Sequence, residues 1–134
     1  MLPQIIDISD TQAEDLDALL ESYDADFIGD VPSGDVNIGL VVDGELVAGA
    51  VASLTSFSIL YVSTIYVNEA FRGFGLGRKL MDAVEERARA IGARFLRLDT
   101  FDWQGVEFYR ALGFEEVGSY DADGFSEHFF LKRL

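Results

Sequence analysis

Three glycines alternate with other residues in one short segment of the chain, and an arginine stands at each end. The segment reads Arg72-Gly73-Phe74-Gly75-Leu76-Gly77-Arg78 and lies between a predicted strand and a predicted helix. Glycines let a backbone approach a ligand closely. The free N–H groups and the dipole of the following helix favour an anion, and the arginines add positive charge. The segment therefore predicts a site for a phosphate-bearing ligand.

Other glycine-rich loops fit these residues less well. A P-loop requires Gly-Lys followed by Ser or Thr, but Lys79 follows Arg78 and is itself followed by Leu80. A dinucleotide-binding loop requires G-x-G-x-x-G. Asp99 stands where such a fold places the acidic residue that binds the ribose. However, too little chain follows Asp99 for the second half of a doubly wound sheet. A tight turn without a ligand stays open as an alternative.

Around this loop, hydrophobic periodicity predicts alternating strands and helices, with hairpins first and one βαβ crossover in the middle. Asp43-Gly44 is a two-residue hairpin signal, and Ser9 or Asp10 can cap the first helix. The predicted strands are Gln4–Ile8, Val36–Val42, Glu45–Leu54, Phe57–Val67, Phe95–Asp99, Phe114–Tyr120 and His128–Arg133. The predicted helices are Thr11–Tyr23, Arg78–Ile91 and Gln104–Leu112. We expect a loop or a broken helix at 24–34, a loop at 68–77 and a turn at 121–124.

A second motif lies beyond the glycine segment. Glu107-Phe108-Tyr109-Arg110-Ala111-Leu112-Gly113-Phe114 contains F-Y-x-x-x-G-F, and residues 72–77 match R/Q-x-x-G-x-G/A after a strand that ends in Ile65-Tyr66-Val67. With these two motifs in this order, the chain resembles the GNAT superfamily of acetyl-coenzyme A-dependent N-acetyltransferases. The resemblance runs from about residue 60 to the end of the chain.

The resemblance implies an α/β fold with a single mixed, mostly antiparallel sheet and a central βαβ crossover flanked by helices. It implies one such domain over residues 1–134. Acetyl-CoA is the expected cosubstrate, with its pyrophosphate on the loop amides and its pantetheine arm along the strand edge at 65–67, beside a split in the sheet. The expected cofactor-binding residues are Ile65, Tyr66, Val67, Arg72, Gly73, Phe74, Gly75, Leu76, Gly77, Arg78 and Gln104.

The same resemblance gives Tyr109 the role of the acid that protonates the leaving thiolate. Gln104 stands where many relatives place an asparagine, so it is the expected substitute for that amide. Glu69, Asp99 and Asp102 lie near the predicted site, but the sequence does not choose a general base among them. Residues that could reach the acceptor are Trp103, Tyr120, Phe125 and His128, each of which also fits a core or rim position.

The charge and the composition of the chain limit the classes of ligand that it could bind. The net charge is −14, and residues 1–71 carry 13 acidic and no basic side chains. This asymmetry disfavours nucleic acid and fits a cationic amine of a small molecule or peptide, although it equally fits solubility or adaptation to a salty cytoplasm. With no cysteine and one histidine, we expect no metal site.

The uncharged segment 46–68 predicts two buried strands rather than a membrane helix. No secretory signal stands at the N-terminus, so we expect a cytoplasmic protein, and a homodimer is compatible with the sequence. Three functions stay open: an N-acetyltransferase, a catalytically silent coenzyme A-binding or sensor module of the same fold, and a nucleotide-binding protein of another class.

Overall fold

The computed structural model describes residues 2–29, 34–55 and 58–134. The chain divides into two compact units, residues 1–31 and residues 32–134. In the first unit, helix α1 spans Asp10–Ile28. Ser9 caps it in a capping box, because the Ser9 hydroxyl accepts from the Gln12 N–H and the Gln12 side chain accepts from the Ser9 N–H.

The predicted first strand, Gln4–Ile8, is wrong, since residues 2–9 form neither helix nor strand. The predicted end of the first helix is also wrong. α1 continues beyond Tyr23 to Ile28, and Gly29 ends it with a φ of 74°. The rest of the predicted loop, residues 30–33, lies outside the described residues.

The second unit contains a six-stranded sheet in the order β1-β2-β3-β4-β6-β5. The strands are β1 Asp35–Val42, β2 Glu45–Leu54, β3 Ile59–Val67, β4 Phe95–Phe101, β5 Glu115–Ala122 and β6 Phe125–Arg133. The helices are α2 Leu76–Ala90 and α3 Val106–Ala111, with a 3-10 helix at Glu69–Phe71. Among the described strands only β3 and β4 pair in parallel, so the predicted fold class is confirmed.

Local signals explain most of these boundaries. Asp43-Gly44 and Asp123-Gly124 form the hairpin turns with positive φ at both residues. The strand predicted from Phe57 begins at Ile59, and Phe57 itself lies outside the described residues. β6 begins at Phe125, three residues before the predicted start, because the turn is only two residues long.

The crossover helix is amphipathic, and its buried face contains Leu80, Met81, Val84 and Ala88. These residues pack with the sheet residues of one face in a single hydrophobic core. The helix begins at Leu76 rather than at Arg78, and α3 begins at Val106 rather than at Gln104. The loop before α2 is therefore two residues shorter than predicted, whereas the connection from β4 to α3 keeps its predicted length and lies two residues later in the chain.

The sheet splits between its two central strands. β3 pairs with β4 only at Ile59, Leu60 and Tyr61, and both strands continue beyond this pairing. A bulge at Ser63 shifts the register of β3 against β2, just beyond the point where β3 stops pairing with β4. From residue 62 onward, the backbone N–H and C=O groups on the β4-facing edge of β3 therefore have no hydrogen-bond partner in β4.

Candidate active site

A cavity of about 640 Å³ lies at the end of β3, between the glycine loop and the segment that leads into α3. Ten of the twelve predicted site residues line it. These are Ile65, Tyr66, Val67, Arg72, Gly73, Gly75, Leu76, Gly77, Gln104 and Tyr109. The two that do not line it are Phe74, in the glycine loop, and Arg78, in the first turn of α2, and both are exposed.

The glycine loop presents the start of α2 to this cavity. Gly73 and Gly75 have φ values of 85° and 76°, in the left-handed region that favours glycine. Gly75 is the N-cap residue and no side chain caps the helix, so the first N–H groups of α2 have no side-chain partner. A Cβ on Gly77 would lie 3.1 Å from the Phe108 ring, which shows how closely α2 and α3 approach. The arrangement suits an anion at the helix N-terminus.

Arg72 connects the loop to the end of β3. Its Nε donates a hydrogen bond of 2.8 Å to the carbonyl oxygen of Val67, and its guanidinium carbon lies 5.7 Å from the centre of the Tyr66 ring. The intervening turn is itself ordered by Asn68, whose side-chain oxygen accepts from the Ala70 N–H at 3.0 Å. Arg72 thus combines a positive charge with a fixed position at the mouth of the loop.

Tyr109 is buried against three aromatic rings, those of Phe108, Phe114 and Phe130. Burial raises the pKa of its hydroxyl, and the negative charge of Asp99 raises it further. The side chain is therefore a neutral phenol at physiological pH, with a proton to donate. Tyr109 is also one of the residues that line the cavity.

Gln104 holds the turn between β4 and α3. Its Oε1 accepts a 2.7 Å hydrogen bond from the Phe101 N–H and lies 3.3 Å from the Thr100 hydroxyl oxygen. The Gly105 N–H in turn donates to the Thr100 hydroxyl at 3.2 Å. The amide nitrogen of Gln104 is the part of this side chain that is left to donate to a ligand.

The three carboxylates near the predicted site differ in their surroundings. Asp99 accepts a 3.0 Å hydrogen bond from the Tyr61 hydroxyl. Asp102 accepts 2.6 Å bonds from the His128 Nε2 and the Ser126 N–H, and these hold its pKa below the usual value. Glu69 is exposed in the first turn of the 3-10 helix. Asp102 is not the cap of α3, since Gly105 occupies the N-cap position.

His128 lies on the wall of a second cavity, of about 430 Å³, and not on that of the first. Its two ring nitrogens contact Glu116 and Asp102, and this pair of carboxylates raises the pKa of the imidazole, Glu116 more strongly. Glu116 also accepts from Arg110 at 2.8 Å. The four side chains connect α3, β5, β6 and the turn after β4.

The first cavity has four wall residues that were not among the twelve predicted site residues: Phe71, Trp103, Gly105 and Phe108. Phe108 was visible in the F-Y motif, and Trp103 was predicted on the acceptor side. Phe71 and Gly105 carried no separate signal in the sequence.

Across the described ranges, no three His, Asp or Glu side chains are grouped so as to hold a metal ion. No helix in that part of the chain is long and apolar enough to cross a membrane.

The fold and the loop define an acyl-transferase architecture, and comparisons with known proteins agree. The profile of the Acetyltransferase (GNAT) family matches residues 3–114, and the chain belongs to this family. An acetyltransferase of Agrobacterium fabrum is 32% identical over 114 residues, which cover 84% of this chain and 83% of that protein.

Two solved structures share the fold. An acetyltransferase from Bacillus cereus has a TM-score of 0.91 and 28% identity, with 98% of both chains covered. An acetyltransferase from Bacillus anthracis, solved in complex with acetyl coenzyme A, has a TM-score of 0.70 and 14% identity over 81% of this chain and 68% of its own. The second likeness shows the fold alone.

Proposed function

We propose that this protein transfers the acetyl group of acetyl-CoA directly to a primary amine of a small molecule or peptide. The observation that carries the proposal is the cavity at the split of the sheet. One of its walls is an unpaired strand edge and another is a helix N-terminus free of side-chain caps. These two surfaces match the two chemically different parts of coenzyme A.

The pyrophosphate part suits the glycine loop. A Cβ on Gly73 or Gly75 would meet nothing within 4 Å, so the loop is open on that side, and the N–H groups at the start of α2 can donate to the phosphates. Arg72 supplies a positive charge whose position is fixed by its bond to Val67. Phe74 and Arg78 lie off the cavity wall and have no contact with the pyrophosphate in this proposal.

The pantetheine part is a chain of amides, and it suits the free edge of β3. A strand edge binds an extended amide chain as it would bind another strand. Ile65, Tyr66 and Val67 line the cavity along this edge. The Gln104 amide nitrogen faces the arm from the α3 side in this arrangement.

Acetyl-CoA supplies an activated thioester. The reaction also needs two proton transfers, one from the amine and one to the leaving thiolate. A primary amine with a pKa near 10.4 must lose a proton, which costs about 4–5 kcal/mol at pH 7 without help. The leaving thiolate must gain one, and Tyr109 is the neutral phenol on the cavity wall. We assign Tyr109 the role of the acid in this step.

Calorimetry with coenzyme A and with NAD tests the binding half of the proposal. We expect coenzyme A to bind and NAD not to bind. Gly75→Glu should abolish coenzyme A binding, because it places negative charge where the phosphates bind. Gly75→Gln is the matched control, with the same size and the same strain at φ 76°. Tight NAD binding without coenzyme A binding would overturn the proposal.

Release of free thiol with a panel of amines tests the catalytic half. Turnover with at least one amine supports an enzyme. Tight coenzyme A binding with no thiol release from any amine would instead identify a silent coenzyme A-binding module.

A further inference from the structure

Three aromatic rings form a cluster beside the cavity, which we call the aromatic shelf: Phe101, Trp103 and Phe125. The rings of Phe101 and Trp103 stack at 5.0 Å with an angle of 7°, and Phe125 meets both edge-on at 5.5 Å and 5.2 Å. Trp103 is 65% exposed and Phe125 is 37% exposed. Because Trp103 also lines the cavity, the shelf is continuous with the proposed acetyl-CoA site.

Two carboxylates share the sheet face that carries the shelf. Glu127 lies directly opposite Phe101 in the β4–β6 pairing, and Asp99 precedes Phe101 by two residues on β4. Side chains two apart on a strand, and directly paired side chains, point to the same face. The two carboxylates therefore flank the rings.

Each carboxylate is held by a tyrosine. The Tyr61 hydroxyl donates to Asp99 at 3.0 Å, and the Tyr120 hydroxyl donates to Glu127. The one cation on this face close to these groups in the described structure, Arg97, stacks on the Tyr61 ring at 4.4 Å and forms no ion pair. The face thus keeps a net negative charge beside exposed aromatic surface.

This face is also within electrostatic reach of the proposed acid. The charge of Asp99 is one cause of the raised pKa of the Tyr109 hydroxyl, although Asp99 and Tyr109 belong to different elements. The aromatic shelf also reaches the proposed acid directly, because Trp103 lines the same cavity as Tyr109.

Aromatic rings and carboxylates together favour a cation with a flat apolar body. A polyamine would use the carboxylates and leave the rings without a partner. An amino acid would bring its own carboxylate towards Asp99 and Glu127 and be repelled. An arylalkylamine satisfies both features with its ring on the shelf and its ammonium near the carboxylates.

We propose that the aromatic shelf, with Asp99 and Glu127, binds the acetyl acceptor, and that this acceptor is a primary arylalkylamine without a carboxylate. This inference rests on the proposed acetyl transfer. The bound ammonium first gives one proton to water, and the neutral amine nitrogen then forms a bond to the thioester carbonyl carbon as the carbon–sulfur bond breaks. The thiolate takes the Tyr109 proton, and the proton lost from nitrogen returns to Tyr109 through water.

Four candidate acceptors test separately the need for a ring, for the absence of a carboxylate and for a single amine: phenethylamine, phenylalanine, n-butylamine and spermidine. With acetyl-CoA and the intact protein, we expect kcat/KM for phenethylamine to exceed each of the others by about tenfold or more. Trp103 is the single tryptophan in the chain, so its fluorescence should also change when phenethylamine binds to the coenzyme A complex. This second readout does not depend on turnover.

Two variants test the assigned residues. Trp103→Ala should lower kcat/KM for phenethylamine about tenfold more than it lowers kcat/KM for n-butylamine. Glu127→Gln should raise kcat/KM for phenylalanine relative to phenethylamine, an effect that simple damage to the fold would not produce. Leu46→Ala, which removes an exposed side chain near the β1–β2 turn, is the control and should change neither ratio.

The outcomes distinguish the inference from the function on which it rests. If spermidine or n-butylamine is acetylated as well as phenethylamine, the acceptor inference is wrong and acetyl transfer stands. If phenylalanine is used equally well, the role of the carboxylates is wrong. If acetyl-CoA does not bind, or binds without turnover of any amine, both the proposed function and this inference are overturned.

Discussion

The Nε of Arg72 donates a 2.8 Å hydrogen bond to the carbonyl oxygen of Val67, the last residue of β3. This bond joins the strand that offers an edge to pantetheine with the loop that offers amides to pyrophosphate. The distance between these two surfaces is therefore set by a side chain as well as by the backbone. An arginine suits the position because Nε can bond the strand while the terminal nitrogens stay free for a phosphate.

Arg72→Lys should weaken coenzyme A binding although it keeps the charge. Lysine cannot hold the Val67 carbonyl and a phosphate in the same geometry, so we expect the Kd to rise about tenfold. Calorimetry measures this directly. Arg78→Lys is the matched control, since Arg78 lies outside the cavity wall, and its Kd should change by no more than about twofold. Equal effects of the two substitutions would contradict the role given to Arg72.

Tyr109→Phe should reduce kcat severalfold or more and leave the Kd of coenzyme A nearly unchanged. The variant keeps the ring contacts with Phe108, Phe114 and Phe130 and removes only the hydroxyl. The acid works while it is protonated, and the pKa of Tyr109 is raised above 10.0. Activity that depends on it should therefore persist through neutral pH and fall only at strongly alkaline pH. Thiol release as a function of pH checks this, and an unchanged kcat would remove Tyr109 from the acid role.

The sequence predicted those parts of the molecule that short segments determine. Asp43-Gly44 predicted a hairpin, and the alternating glycines predicted a loop before a helix. The split in the sheet was expected only through the family resemblance, and the pairing of β3 with β4 at three positions confirms it. Ten predicted site residues lie together on one cavity because the two motifs flank the same crossover.

The remaining features depend on contacts between distant segments. Gln4–Ile8 has the apolar pattern of a strand, but a strand also needs a partner, and none pairs with it among the described residues. His128 meets Asp102 and Glu116 only because β6 pairs with both β4 and β5, a register that no local pattern shows. The aromatic shelf likewise combines residues from β4, the following turn and β6.

Gly105→Ala should impair catalysis by displacing Tyr109. A Cβ on Gly105 would lie 2.9 Å from the Tyr109 ring, closer than real contacts allow, and neighbouring rings restrict the movement of Tyr109. We expect a loss of about 1–3 kcal/mol in the free energy of unfolding and a fall in kcat at least as large as that of Tyr109→Phe. Chemical denaturation and thiol release measure the two effects. Gly118→Ala is the control, because its nearest neighbour would be 4.0 Å away, and the same losses there would contradict the steric cause.

The His128 cluster should make the stability of the fold depend on pH. Glu116 and Asp102 raise the pKa of His128, so the stabilisation from the charged imidazole is complete below its unfolded pKa of about 6.5. It is lost as the pH rises through the raised pKa of the folded protein. The pKa values of Asp102 and Glu116 are lowered, each mainly by His128, so their stabilisation is instead lost in acid, as the pH falls through those lowered values.

His128→Gln should therefore lower Tm by several degrees at pH 6 and by much less above the folded pKa of His128. Thermal unfolding of both proteins across this range gives the difference at each pH. Glu115→Gln is the control, because it removes a neighbouring exposed carboxylate of β5 that does not contact His128. Its Tm difference should stay constant with pH. A Tm difference for His128→Gln that is equally independent of pH would show that the two carboxylates do not hold a charged imidazole, and that the side chain stabilises the fold by packing alone.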